Sequence, residues 1–272
     1  MYESSRLDPA LKRMLAAAQP RETDQAMLRP LGLDAADRAL GGGLAAGKLH
    51  EVFAGDRLGE ASALGLTVML ALCVTQAQKM PRTLLWLREE AAQRRMPLHG
   101  PGLADLGLDP GRLVLGVLPD AKALLRAAGD ALRCASLGAV IVELGGNPAL
   151  LDLTASRRMA LAAEESGVTP LLLRVRGARP MPSAAQTRWQ VAPALSAALE
   201  ADAPGHPAFK LSLLRQRGGQ SGLDWDVEWD RDAVCFRPAA LPGARLPLSG
   251  GGSDPLDRTA ERAGDASWRI AS

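Results

Sequence analysis

The sequence predicts an α/β fold: a mostly parallel β-sheet flanked by helices, with an antiparallel hairpin near the C-terminus. Three observations carry this. The runs TLLWL (83–87), GAVIVEL (138–144) and TPLLLRV (169–175) are almost wholly apolar, as strands buried on both faces must be. Segments of helical periodicity separate them, the signature of crossover connections in a parallel sheet. Near residue 205 the pattern changes to two strand-like runs, FKLSLLRQR and LDWDVEWD, around the turn-forming stretch RGGQSG.

The chain has 272 residues, 47% of them hydrophobic, enough for one good-sized domain with tails. Residues 8–18, DPALKRMLAAA, read as a short amphipathic helix, followed by the polar linker QPRETDQ. Three parts are expected: a helix and linker over 1–28, a core domain over 29–237, and a Gly/Pro-rich, disordered tail over 238–272. In the core, LGLDAADRALGGGLAAGKLHEVFAG predicts a helical turn, a glycine-rich bend and a strand. A helix over about 60–78 follows, then the strand at 83–87, and REEAAQRRMPLHGPG reads as a charged loop. A short LGL helix leads to the strand RLVLGVL (112–118), a helix at 120–136 and the strand at 138–144. The helix PALLDLTASRRMALAAEES precedes the strand at 169–175. In LDWDVEWD, Trp225, Val227 and Trp229 alternate with Asp224, Asp226, Glu228 and Asp230, giving one apolar and one acidic face.

Composition limits function. A formal charge of +2 gives little whole-molecule attraction to nucleic acid, so any basic surface must be local. Cys73, Cys134 and Cys235 are too widely spaced for a zinc or disulfide framework, which suits a reducing cytoplasm, and no metal site is expected. Met1–Pro20 has no apolar signal core, and no run of 18 apolar residues exists, so a cytoplasmic protein without a membrane span is expected.

The stretch EVFAGDRLGEAS (51–62) has the strand–loop–helix setting of a phosphate-binding loop, whose pattern is G-x-x-x-x-G-K-[ST]. Its first glycine is replaced by Ala54, with Gly55 one place late, and its second is Gly59. Glu60 replaces the lysine and Ala61 the hydroxyl residue, while Ser62 stands one place beyond. An active loop neutralises phosphate with the lysine and holds magnesium with the hydroxyl. A like-charge contact at 4 Å costs roughly 4 kcal/mol at an effective dielectric of 20, so Glu60 opposes triphosphate binding. Its expected role is a helix-start carboxylate favoured by the dipole by about 0.3–1 kcal/mol, partly replacing the missing phosphate. No cofactor is expected.

The order LGGGLAAGKLHEVFAG, GAVIVEL, KLSLLRQRGGQSGLDWDVEWD resembles the RecA family of recombinases over roughly residues 30–236. With PSAAQTRWQV and LLRQRGGQSG followed by WDVEWD, the chain looks most like the ImuA family, RecA-like accessory proteins of damage-induced mutagenesis. The resemblance implies a RecA-like core with a degenerate ATP site. It places Glu143 at a metal-linked acidic position, although a solvent-facing strand-end carboxylate is the preferred reading. It aligns Glu89 with a water-activating glutamate, with Glu90 fitting nearly as well. Arg215 and Arg217 match a basic pair that contacts a nucleotide on the neighbouring subunit, here free for another anion or subunit. Arg174, Arg176, Arg179 and Arg188 fall where the family has a single-stranded-DNA loop; a solvated or protein-facing basic loop is preferred. Trp189, within this stretch, fits a core position as well as a stacking platform.

The function implied is a non-catalytic adaptor of SOS-induced translesion synthesis. It would help assemble an ImuB-like Y-family polymerase homologue and an error-prone C-family polymerase, as a homo- or hetero-oligomer of RecA type. Both ends, 8–18 and the Trp268 segment, are candidate docking elements. The alternatives are a SulA-like cell-division inhibitor and a weak DNA-dependent ATPase using Ser62, Glu89 and Glu143.

Overall fold

The computed structural model of the chain describes residues 28–55, 59–76, 82–199, 201, 203 and 205–239. The helix expected over 8–18 and the tail beyond 239, with Trp268, lie outside the described residues.

Among the described residues, nine strands form one sheet. The central strand β3 (His50–Ala54) is flanked by β7 (Thr169–Val175) and β8 (Thr187–Pro193), both parallel to it. Beyond β7 lie β6 (Leu137–Gly145), β4 (Thr83–Glu89) and, at the edge, β5 (Leu113–Leu118), all parallel. Beyond β8 the sheet turns antiparallel through β9 (Ala208–Gln216), β10 (Leu223–Asp230) and β11 (Cys235–Pro238). The α/β class, the parallel sheet and the C-terminal hairpin are thus as the sequence predicts. Two further strands, β1 (Leu28–Arg29) and β2 (Leu44–Ala45), pair separately. Gly43 makes their approach possible: its φ is +129°, and a Cβ there would stand 2.2 Å from the Arg29 carbonyl oxygen.

Alternation along the strands divides the core in two. In β6, Ala139 and Ile141 face one layer while Val140, Val142 and Leu144 face the other. The first layer is built around α2 (Glu60–Gln76), which is buried from Leu66 through Thr75 with no polar face. It packs on the central strands and is covered by Leu31, Leu33 and Leu40 around α1 (Asp34–Ala39). The second layer is α5 (Ala121–Ala131) and α6 (Leu153–Ser166), through Leu124, Ala128, Met159 and Ala163. Each fully buried leucine or valine contributes about 1.5–3 kcal/mol, so these two layers dominate stability.

Several boundaries differ from the sequence reading, each for a local reason. The expected charged loop after β4 holds two short helices, α3 (Glu90–Arg95) and α4 (Gly100–Asp105), and Leu106–Leu108 closes α4 rather than forming its own helix. α6 begins five residues later than expected because Asp152 caps it, its carboxylate accepting from the Ala155 N–H at 2.7 Å. In β10, Asp224 and Asp226 are exposed, but Glu228 is buried against Arg237 of β11 at 3.3 Å. The outer face is therefore acidic over half its length.

At the start of β3, His50 is buried in a polar chain. Trp189 Nε1 donates to Thr187 Oγ1 at 2.7 Å, which lies 2.7 Å from His50 Nδ1, while His50 Nε2 lies 2.8 Å from the Ala45 carbonyl. A neutral ring with Nε2 protonated satisfies all three contacts. Burial lowers the His50 pKa from 6.5 to about 4. The unfolded chain then binds a proton before the folded one, so stability is full above about pH 6.5 and lost as pH falls towards 4, by roughly 3 kcal/mol. Urea midpoints measured between neutral pH and about pH 4.5 will fall, and His50→Gln will remove that part of the slope. An unaltered slope in His50→Gln contradicts the assignment.

Candidate functional site

The loop after β3 opens at the carboxyl end of the parallel strands, beside the point where the chain leaves β3 for β4 on one side and later returns as β8 on the other. Such crevices are where open α/β sheets place ligands. Ala54 ends β3 half-buried, in register with Val191. The Gly55 N–H donates to the Val191 carbonyl at 2.9 Å, and a Cβ on Gly55 would approach that oxygen to 3.1 Å. Gly59 is buried, and its carbonyl accepts the first bond of α2 from Ala63 at 2.8 Å. Ala61 is exposed and Ser62 half-buried.

Glu60 opens α2, and its carboxylate is held at both oxygens. Arg95 Nη1 donates to Oε2 at 2.6 Å and the Arg176 N–H donates to Oε1 at 3.0 Å. The three residues come from α2, α3 and the turn after β7, so the carboxylate ties three elements together. Arg176 has φ +57°, a left-handed backbone that costs a non-glycine residue about 1–2 kcal/mol. Its N–H is aimed at the carboxylate in that conformation. A cation and a backbone N–H at a helix start are the components of an anion site, and here the anion is the chain's own side chain. An incoming phosphate must displace Glu60 before it reaches either donor.

Glu143 is buried, not solvent-facing as the sequence suggested. Its Oε1 accepts from Arg88 Nη2 at 3.0 Å and its Oε2 from Trp86 Nε1 at 3.1 Å, while Arg88 Nη1 reaches Gln93 at 3.0 Å. Both carboxylate oxygens are engaged by the neighbouring strand β4. Burial pushes the Glu143 carboxyl above its ordinary range, with the Arg88 charge acting in the opposite direction. Glu89, the last residue of β4, is half-buried and makes no capping bond to α3; Glu90 pairs with Arg94 at 3.1 Å on the surface.

The four arginines expected on one exposed basic loop, a candidate for single-stranded DNA, divide into two kinds. Arg174 and Arg188 are buried on the opposite side of the sheet around Glu51. Arg188 Nε lies 2.8 Å from Glu51 Oε2 and Arg174 Nη1 lies 4.0 Å from Oε1. Arg174 also donates to the Gly146 carbonyl at 3.0 Å and to Asn147 Oδ1 at 2.9 Å, and lies over the Phe53 ring at 5.5 Å. This corrects their assignment to a nucleic-acid surface, because guanidinium groups held by a buried carboxylate cannot follow a phosphate backbone. Arg176 and Arg179 remain exposed. Trp189 is buried, a core residue rather than a stacking platform.

Arg215 and Arg217 are exposed at the far end of the sheet, where β9 meets the start of β8. They are not brought to the Glu60 loop. The residues that sequence reasoning missed are Trp86, Arg88, Arg95 and Glu51. A signal existed for two of them: Glu51 and Arg88 are charges inside strands whose neighbours are apolar, and such charges require partners.

A scan against protein-family models gives no match, and none of the curated proteins matches the sequence. Solved structures do match, 394 chains in all. One is the crystal structure of the RadB recombinase, with 15% identity and a TM-score of 0.53, over 78% of this chain and 100% of that one. The fold is RecA-like. At that identity the likeness shows the architecture alone.

The Arg88–Glu143 pair generates a stability prediction. Removing one partner leaves an uncompensated buried charge and costs about 3–5 kcal/mol, whereas replacing both with apolar residues costs less. Urea denaturation is expected to show Arg88→Met losing stability on that scale and Arg88→Met/Glu143→Leu regaining part of it. Equal stability of Arg88→Met and the parent contradicts the pairing.

Proposed function

We propose that the chain is a nucleotide-free RecA-like adaptor of the ImuA type, acting in SOS-induced translesion synthesis rather than as an ATPase. The observation that carries this reading is the engagement of Glu60 at both oxygens by Arg95 and the Arg176 N–H. The helix start that would receive a triphosphate already holds a carboxylate. Ala61 offers no magnesium ligand, and Glu143, at the position of a metal-linked acid, is committed to Arg88 and Trp86. The function left to such a fold is assembly: holding an ImuB-like Y-family polymerase homologue and, through it, an error-prone C-family polymerase in the cytoplasm. That partner set rests on the sequence resemblance to the ImuA family. Among the described residues no helix is long and apolar enough to cross a membrane.

Calorimetric titration of the full chain with magnesium-ATP tests the first half. No binding heat is expected up to millimolar nucleotide, and a micromolar Kd would overturn the reading in favour of a weak ATPase. Co-purification with an ImuB-like homologue tests the second half; recovery of a division protein instead would favour the SulA-like alternative.

A further inference from the structure

Helix α6 forms a ridge between two clefts that the Glu60 loop does not touch. On one side a cleft of about 850 Å3 is walled by α6, the 182–186 segment and the end of β9, and carries Arg157, Arg215 and Arg217. On the other side a cleft of about 290 Å3 lies between α5 and α6 and carries Lys122, Arg126 and Arg158. Of the carboxylates on α5 and α6, Glu164 pairs with Lys48 at 3.3 Å and Asp130 with Arg133 at 3.4 Å, while Glu165 stands exposed near the end of α6. Among the described residues, no carboxylate stands within ion-pair distance of Arg126, Arg157, Arg158, Arg215 or Arg217. In a chain of formal charge +2, that concentration of unbalanced guanidinium groups on one face is local, and it calls for an anionic partner.

The apolar residues between these charges identify the kind of anion. Leu150, Leu153 and Leu161 stand 54%, 36% and 57% exposed along the same ridge, and Leu150, Leu153 and Leu161 each line one of the two clefts. Among the described residues, no aromatic side chain lines either cleft. Single-stranded nucleic acid is held by a basic groove together with aromatic platforms for its bases, and the second component is missing. Leucines framed by arginines match instead a protein segment that presents carboxylates to the guanidinium groups and apolar side chains to the leucines.

We propose that the clefts flanking α6 form a docking surface for an acidic segment of a partner protein, anchored by apolar side chains. The surface is remote from Glu60, so this proposal and the nucleotide-free reading fail separately: magnesium-ATP binding would overturn the latter and leave the former intact.

A display library of random peptides, selected on the immobilised full chain, tests it. The expected result is enrichment of sequences that combine Asp or Glu with Leu, Ile or Phe. Synthesised with a fluorophore and measured by polarisation, they lose affinity by at least about tenfold in Arg157→Glu/Arg217→Glu and in Arg126→Glu/Arg158→Glu, and weaken as salt is added. Circular dichroism of these exposed-site variants should match the parent. No enrichment, enrichment without acidic residues, or binding indifferent to the charge reversals overturns the proposal. So does a labelled oligothymidylate that binds with the same sensitivity to charge reversal while the peptides do not bind, which would make the surface one for nucleic acid.

Discussion

One carboxylate organises the crevice at the carboxyl end of the sheet. Glu60 is the first residue of a helix that is buried from Leu66 through Thr75, so its position is fixed by the core as well as by the loop that precedes it. From there it reaches the Arg95 guanidinium and the N–H of Arg176, drawing α3 and the turn after β7 towards α2. A helix start favours negative charge, and in a nucleotide-binding fold that preference is satisfied by ligand phosphate. Here it is satisfied intramolecularly. The anion at the helix start is therefore supplied by the chain itself.

The same solution recurs deeper in the sheet. Glu143 is locked between Arg88 and Trp86 on the α2 side, and Glu51 between Arg174 and Arg188 on the α6 side. Buried pairs of this sort add little net stability over apolar residues of equal size, yet are costly to break. They bind together strands that are not neighbours in sequence: β4 with β6, and β3 with β7 and β8. Glu143 and Glu51, both inside strands, are thus engaged in internal ties. Meanwhile the unbalanced cations are outside, around α6 and at Arg215 and Arg217.

Much of the fold was legible because its signals are local. The apolar runs of β4, β6 and β7 and the alternation in β10 each fall within a few residues, and the helix at 60–76 follows from unbroken hydrophobicity. The strand β11 was missed although Asp230 marks the turn before it, its carboxylate accepting from the N–H groups of Asp232 and Ala233. α3 reads as a loop in the sequence because a six-residue polar helix has no apolar period. The site was legible in part. Glu60 showed itself by standing where a lysine belongs, but its partners are 35 and 116 residues away, a distance over which no pattern in the chain speaks. The run RVRGARPMPSAAQTR read as one basic loop, since only the fold reveals that Glu51 faces Arg174 and Arg188 across β3.

The most direct measurement is a crystal structure of the full chain soaked in magnesium-ATP. The account predicts Glu60 still bonded to Arg95 and to the Arg176 N–H, with no triphosphate density at the start of α2. A triphosphate seated there, with the Glu60 side chain swung away, would contradict it.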